Sequence, residues 1–262
     1  MPEKTSYSPR QRKSTILEML KNEEEVKVLH LVEFFGVSGA TVRSDLAEME
    51  HSDLLQRVHG GAVSTKKAYY NMSLNDRMAI NKNEKIHIAK ACAGLINDGD
   101  TLMIDSGTTN KYVAMELAER KNLTIVTNAV QIAEEFVFNN TVNVILLGGN
   151  MNLKYKFTFG NDTVAQLQKY RADKMVLATD GISINHGLTT YHFQEADVSR
   201  CMIERSNSVI AVADHSKIGK EGFSYIAPLD SINTLVTDSN YENAHELDAF
   251  RSKGIVVEET AV

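Results

Sequence analysis

Five consecutive residues, Asp105-Ser106-Gly107-Thr108-Thr109, stand where the apolar run TLMI gives way to the helical pattern NKYVAMEL. A helix N-terminus presents unpaired backbone N–H groups and the positive end of the helix dipole, so small residues at such a joint let an anion approach. Gly107 lets the backbone come close, and Ser106, Thr108 and Thr109 add hydroxyl donors. The competing reading of the same residues is a cap after a tight strand-to-helix turn. What decides between them is whether other polar groups gather at the same place.

Four more apolar runs end in polar residues: Asn128, Gly148-Gly149, Asp180-Gly181, and Asp214 with Ser216-Lys217. Each alone reads as a loop residue or a cap. Together they describe a cleft suited to a polyhydroxylated anion, with Gly and Thr amides for phosphate, carboxylates for sugar hydroxyls and Lys217 for charge. A cleft of this kind requires the runs to be parallel strands. From Glu84 onward, TLMID, LTIVTN, VNVILLGG, KMVLATDG, SVIAVAD, TLVTD and IVVEE alternate with helical segments. That order predicts an α/β domain with a mostly parallel sheet, whose ligands sit outside the carboxyl ends of its strands.

Residues 8–51 have another character. Ser8-Pro9 signals a helix start, and Ile16, Leu17 and Leu20 recur at core-facing spacing as far as Asn22. A second helix, LHLVEFF, ends at Gly36, and its start is poorly signalled because Lys27 and Val28 offer no side-chain cap. Ser38 caps a third, in which Val42, Leu46 and Met49 fall on one face. A strand-like run, LLQRVHGGAV, follows, broken by Gly60-Gly61. Helix, helix, turn, helix and β-wing is the order of a winged helix-turn-helix. The opposite face of the third helix carries Thr41, Arg43 and Ser44, where a recognition helix places its base-reading and phosphate-binding groups. Arg57 and His59, beside Gly60 and Gly61 on the wing, are placed to reach the flanking backbone. Taken singly, each is an ordinary solvated surface residue. The predicted organisation is a winged helix-turn-helix over 1–64, a polar linker over 65–83 with a helical turn around Leu74 to Met78, and an α/β sensor domain over 84–262.

Composition separates these regions without naming a partner. Of the 262 residues, 43% are apolar and 24% charged, ordinary for a globular chain. The formal charge is −6, but residues 1–67 balance ten basic against ten acidic groups, so any nucleic-acid contact must rest on where charges are placed. The N-terminus lacks the apolar core of a signal peptide, and no apolar run approaches the roughly 18 residues of a membrane span. Cys92 and Cys201 form no CxxC pair and read as buried thiols in a reducing cytosol, so a cytoplasmic protein is expected.

The segment VLHLVEFFGVSGATVRSDLAEMEHSDLLQRVHGGA resembles the DNA-binding segment of DeoR-family transcriptional regulators, through Val37-Ser38, Thr41-Val42-Arg43, Asp45-Leu46 and Arg57 to Ala62. Ser44 stands where the family usually has a second arginine, and Asp53 where it has a glycine before the wing. DGDTLMIDSGTT, TIVTNA, VILLGG, ATDGIS, GLTT, EA and ADHSKIG stand in the order of the family's sensor domains. Ala178-Thr179 replaces the usual glycine-alanine, and KYKFTFGND is atypical. The resemblance implies a sensor fold similar to ribose-5-phosphate isomerase and an effector that is a phosphorylated sugar or related metabolite. Asp105 to Thr109 would hold its phosphate, and Asp180, Gly181, Glu195 and Lys217 would line the part of the cleft corresponding to the isomerase active site. The implied protein is a repressor of a carbohydrate-utilisation operon, a dimer or tetramer on double-stranded operator DNA.

Two other readings stay in view. Glu195 and Lys217 beside Asp180 invite an isomerase, with a carboxylate base and a lysine partner. A winged helix used for protein contacts is the third. Against an enzyme stand the DNA-binding module and the absence of GxxxxGK[ST], GxGxxG, HExxH and GxSxG patterns. No metal-ligand spacing occurs, and no cofactor or metal is expected.

Overall fold

The computed structural model describes residues 7–23, 25–51, 54–64 and 73–261. Asp53 and residues 65–72 of the expected linker lie outside them. The chain divides into two compact units between residues 72 and 73.

In the first unit, α1 (Pro9–Glu23) starts with a reciprocal cap: the Gln11 amide donates to Ser8 Oγ, and the Ser8 amide donates to Gln11 Oε1. A strand that the sequence did not announce, β1 (Glu25–Lys27), precedes α2 (Val28–Phe35). Lys27 gives α2 no side-chain cap, as expected. Its first amide instead donates to Gly60 O at 2.8 Å. Ser38 caps α3 (Gly39–His51), accepting from the Thr41 amide at 3.1 Å. The wing is a pair of strands, β2 (Gln56–Val58) and β3 (Gly61–Val63), and β3 lies between β2 and β1. Gly61 is what lets β1 in: a Cβ there would stand 2.1 Å from Val26 O. Ile16, Leu20, Leu31, Val42, Leu46, Met49 and Leu55 form the core. Inside it, Arg12 Nε and Nη2 fork onto Asp45 at 2.6 and 3.1 Å.

The second unit begins earlier than the sequence suggests. Ser73 caps α4 (Leu74–Ala79) in a capping box with Asp76, and α5 (Lys82–Gly94) follows. Seven parallel strands come next: β4 (Thr101–Ile104), β5 (Thr124–Thr127), β6 (Asn143–Leu146), β9 (Ala172–Ala178), β12 (Ser206–Val212), β14 (Thr234–Asp238) and β15 (Val256–Thr260). Their order is β15-β14-β12-β9-β4-β5-β6. Successive side chains of a strand face opposite sides, so Met103 and Met175 enter one core while Leu102, Ile104 and Val176 enter the other. Every strand read from the sequence beyond Glu84 is in this sheet. Outside it lie two additions: a hairpin, β7 (Asn150–Asn152) with β8 (Phe157–Phe159), and an antiparallel sheet, β10 (Gly181–Ser183), β11 (Gly187–Thr190) and β13 (Ser224–Ala227). The hairpin occupies the atypical stretch KYKFTFGND and the residues just before it. Between the strands run α6 (Thr108–Leu117), α7 (Val130–Ala133), α8 (Asn161–Leu167), α9 (Phe193–Glu204) and α10 (Ala244–Ser252). Cys92 and Cys201 are free and buried.

Strand order reverses between β4 and β9. Connections from β4 run outward to β5 and β6, whereas those from β9 run the other way to β12, β14 and β15. At such a switch point the loops diverge and leave a crevice, which fixes where a ligand can enter.

The Arg12–Asp45 pair yields the first prediction. Asp45→Ala leaves a guanidinium buried without its counter-charge, at a cost of about 3–5 kcal/mol. Amide exchange over residues 9–63 is expected to accelerate strongly, with exchange over residues 82–260 unchanged; equal protection in the variant would show that the pair does not hold this unit together.

Candidate functional site

The residues that follow β4 and β9 meet at the switch point, but they do not all face it. Asp105, 3% exposed, turns its carboxyl beneath the crevice. Its Oδ1 accepts from Asn110 Nδ2 at 2.5 Å and from the Ala178 amide at 3.0 Å, and its Oδ2 accepts from Ser199 Oγ at 2.9 Å. Burial pushes this group well above the usual carboxylate range. Asp105 thus braces the floor, with its carboxyl withheld from any ligand. Gly107 is the N-cap of α6, and no side chain caps that helix. Its φ of +151° and the 2.5 Å that would separate a Cβ from the Ala178 Cβ explain the glycine. Ser106, free to serve as a cap by its position, instead donates to Glu195 Oε1 at 2.8 Å. The capping reading of this loop is therefore not realised, and the first amides of α6 keep their unpaired donors.

On the β9 side, Asp180 is held from three directions. Arg77 Nη2 donates to its Oδ1 at 2.9 Å, while Oδ2 accepts from Thr190 Oγ1 at 3.0 Å and from the Tyr191 amide at 2.9 Å. Burial opposes ionisation of Asp180, but the charges of Arg77 and Lys217 outweigh it and hold the carboxyl below its usual range. Thr190 Oγ1 also lies 3.0 Å from Glu195 Oε2. One hydroxyl proton cannot serve two carboxylates at once. Burial first, then the charge of Asp180, raises Glu195 to about 7. When Glu195 carries its proton it can donate to Thr190, leaving the Thr190 hydroxyl to donate to Asp180.

Lys217 closes the β12 side. Its ammonium is lowered by burial, against the pull of Asp214 and Asp180. Asp214 Oδ1 accepts from Asn81 Nδ2 at 2.9 Å and from the Ser216 amide. His192 lies 1% exposed, its ring 4.3 Å from that of Tyr155, and burial lowers it to about 4. The remaining expected residues serve backbone positions. Asn128 Nδ2 donates to Thr158 O, fastening the β7–β8 hairpin, while its buried Oδ1 has no hydrogen-bond partner. Gly149 sits in the β6–β7 turn against Thr163, and Gly181 packs on Lys220 O and Thr189.

Sequence reading missed Arg77 and Asn81, which it assigned to the linker, and it did not single out Thr190, His192 or Tyr155. One signal was available: Ser73-Leu74-Asn75-Asp76 is a capping-box pattern that announces a helix at Arg77. Gln131, 2% exposed with neither amide atom hydrogen-bonded, had no signal at all.

In the first unit, α3 buries Val42, Leu46 and Met49 and leaves Arg43 and Ser44 exposed, with Thr41 half-buried against Ser38. Arg57 is engaged by Glu50, Nε to Oε2 at 2.7 Å, and His59 and Gly60 lie exposed at the wing's turn. Gly61, expected among the DNA-facing residues, is buried against β1.

The family model of the DeoR-like helix-turn-helix domain matches residues 12–68, and that of the DeoR C terminal sensor domain matches residues 80–239. The chain is 36% identical to the transcriptional repressor AccR of Agrobacterium fabrum, over 88% of this chain and 90% of that protein. It is 34% identical to the glycerol-3-phosphate regulon repressor of Escherichia coli, over 87% and 90%. Among solved structures, ribose 5-phosphate isomerase A of Methanocaldococcus jannaschii matches with a TM-score of 0.39 and 14% identity, over 53% of this chain and 55% of that one.

Glu195 gives the site a pH signature. Its pKa is raised in the folded chain to about 7, so its protonation stabilises the fold fully below about pH 4.5. That contribution is lost as pH rises through about 7, at a rate of at most roughly 1.4 kcal/mol for each step of one in pH. Glu195→Gln mimics the protonated form at every pH. The variant is therefore expected to gain about 2–3 kcal/mol over the wild type between pH 4.5 and 8. A constant difference in urea unfolding across that range would contradict the buried, proton-sharing arrangement.

Proposed function

The chain belongs to the DeoR family of DNA-binding transcriptional regulators, and on that premise we propose that it represses a carbohydrate operon, its operator affinity set by a phosphorylated sugar or related metabolite in the C-terminal unit. The observation that carries this reading is the uncapped, glycine-started N-terminus of α6 at the switch point of the parallel sheet, with Ser106 drawn away to Glu195. Backbone donors and the helix dipole favour a phosphate there. Asp180, Thr190, Glu195 and Lys217 supply acceptors and donors for the hydroxyls of the attached carbon chain. Asp105 contributes by holding the floor. That a similar protein is named for the glycerol-3-phosphate regulon accords with an effector of this class.

In the N-terminal unit, Arg43 and Ser44 face solvent from α3, with Ser38 and Thr41 at its start, and form the surface offered to the major groove. Arg57 reaches phosphate once Glu50 releases it, at small cost because exposed ion pairs contribute only about 0–1 kcal/mol. The protein acts in the cytoplasm as a dimer or tetramer, and the effector changes the spacing of paired winged helices. Half-sites lie about one helical turn apart or at multiples of that, so a small rotation spoils the match.

A sugar-phosphate isomerase is the second reading, favoured by Glu195 near neutrality beside an ionised Asp180. Binding without turnover is proposed here, and multiple turnovers lost in Glu195→Gln would replace it.

Two measurements address the regulator. A sugar phosphate at about 100 times its dissociation constant should stabilise the folded chain by about 2.7 kcal/mol, and its unphosphorylated counterpart should not. The absence of any shift across triose, pentose and hexose phosphates would return the α6 loop to a structural turn. Arg43→Ala is expected to weaken operator binding by about 1–3 kcal/mol, roughly 5- to 150-fold. Unchanged affinity in fluorescence anisotropy would mean that α3 is not the reading helix.

A further inference from the structure

Helix α4 is the first described element after the residues that join the two units, and it is fastened to the cleft at several points. Arg77 sends its buried guanidinium to Asp180 at 2.9 Å, with Nη1 3.4 Å from His192 Nε2 and its central carbon 5.5 Å from the Tyr155 ring centroid. Lys85 Nζ donates to the carbonyls of Arg77 and Ile80, each at 2.6 Å, and Tyr112 OH donates to Met78 O at 3.2 Å. Asn81, just past the helix, donates to Asp214. Both ends of the short segment 77–81 therefore rest on carboxylates of the cleft. A helix of six residues is not stable by itself, so these contacts decide its position.

We propose that Arg77 is a ligand-contacting residue of the cleft, and that the Arg77–Asp180 ion pair passes effector occupancy to the connection between the units. The inference rests on the function proposed above. A polyol phosphate that hydrogen-bonds Asp180, or offers its own charge to the guanidinium, competes for one member of the pair. A guanidinium binds phosphate and carboxylate in the same forked geometry, so the exchange is chemically even-handed. When the pair opens, α4 loses its tie to Asp180 while the contacts from Lys85, Tyr112 and Asn81 remain, so that the arginine end of the helix is released. Coupling of this kind requires a difference in free energy between two arrangements, and a buried ion pair that is either intact or replaced provides one.

The test needs no ligand and uses the full chain. Asp180→Asn, Arg77→Lys, Arg77→Gln and the double variant Arg77→Gln/Asp180→Asn are compared for operator affinity by anisotropy and for amide exchange over residues 74–80. Opening the pair by either partner is expected to change ligand-free operator affinity by about fivefold or more, in one direction, with the double variant no further displaced. Exchange over 74–80 should accelerate in each. A purely structural pair would lower thermal stability and leave the operator affinity of the folded protein alone; that result overturns the proposal. Should Arg77→Gln fail to fold, the near-isosteric Asp180→Asn and the charge-retaining Arg77→Lys decide it by the same readouts. A wild-type chain that ignores every sugar phosphate counts against the proposed effector class, and these variants still report whether α4 is coupled to the operator.

Discussion

One buried carboxyl group sets the geometry of the whole crevice. The ladder between β4 and β9 ends at Ile104 and Val176, because at a switch point the two chains must then part. Asp105 extends the join by one more residue with its side chain, taking the Ala178 amide that a continued strand would have taken. The same carboxyl also holds Asn110 of α6 and Ser199 of α9, so four elements are fixed by one group. Burying it is costly unless every lone pair is used, and three donors converge on its two oxygens.

Everything above that floor follows from its closeness. With Ala178 held so near, residue 107 has no room for a side chain, and a helix that begins on glycine begins without a cap. Ser106, lifted toward α9, finds Glu195 instead of the helix amides. Glu195, brought within reach of Thr190, is pushed up to about 7 by its burial and by the charge of Asp180. An uncapped helix start and a hydrogen-bonded string of carboxylates beside it thus arise from one packing constraint.

The sequence made the sheet legible because its five inner strands, β4, β5, β9, β12 and β14, are largely buried and read as apolar runs. The more exposed edge strands β6 and β15 still carry the short runs VIL and VV. The antiparallel additions were not legible: β7, β8, β10, β11 and β13 are three or four residues long and lack the apolar runs that marked equally short strands of the main sheet. β1 was lost for the same reason, a single buried Val26 between two exposed residues. In the cleft, the residues carried by strand ends were found, whereas Arg77 and Asn81 come from outside the sheet, and only tertiary packing brings them in. Asp105 shows the opposite failure. Its position at a strand end was read correctly, but side chains alternate across a strand, and position alone did not reveal which way the carboxyl turned.

Charge placement in the N-terminal unit constrains how such a chain can hold DNA. Among its described residues, three cations are spent internally, Arg12 on Asp45, Lys13 on Glu48 and Arg57 on Glu50. Each phosphate neutralised contributes about 0.9 to the salt slope of binding, so Arg12 adds nothing to that slope, and Lys13 and Arg57 add to it only when a phosphate displaces their carboxylates. Joining modules through a shared body raises the effective concentration of the second once the first is bound, without any added charge. An acidic chain can therefore hold an operator tightly while ignoring bulk DNA, provided the spacing of its modules matches the half-sites.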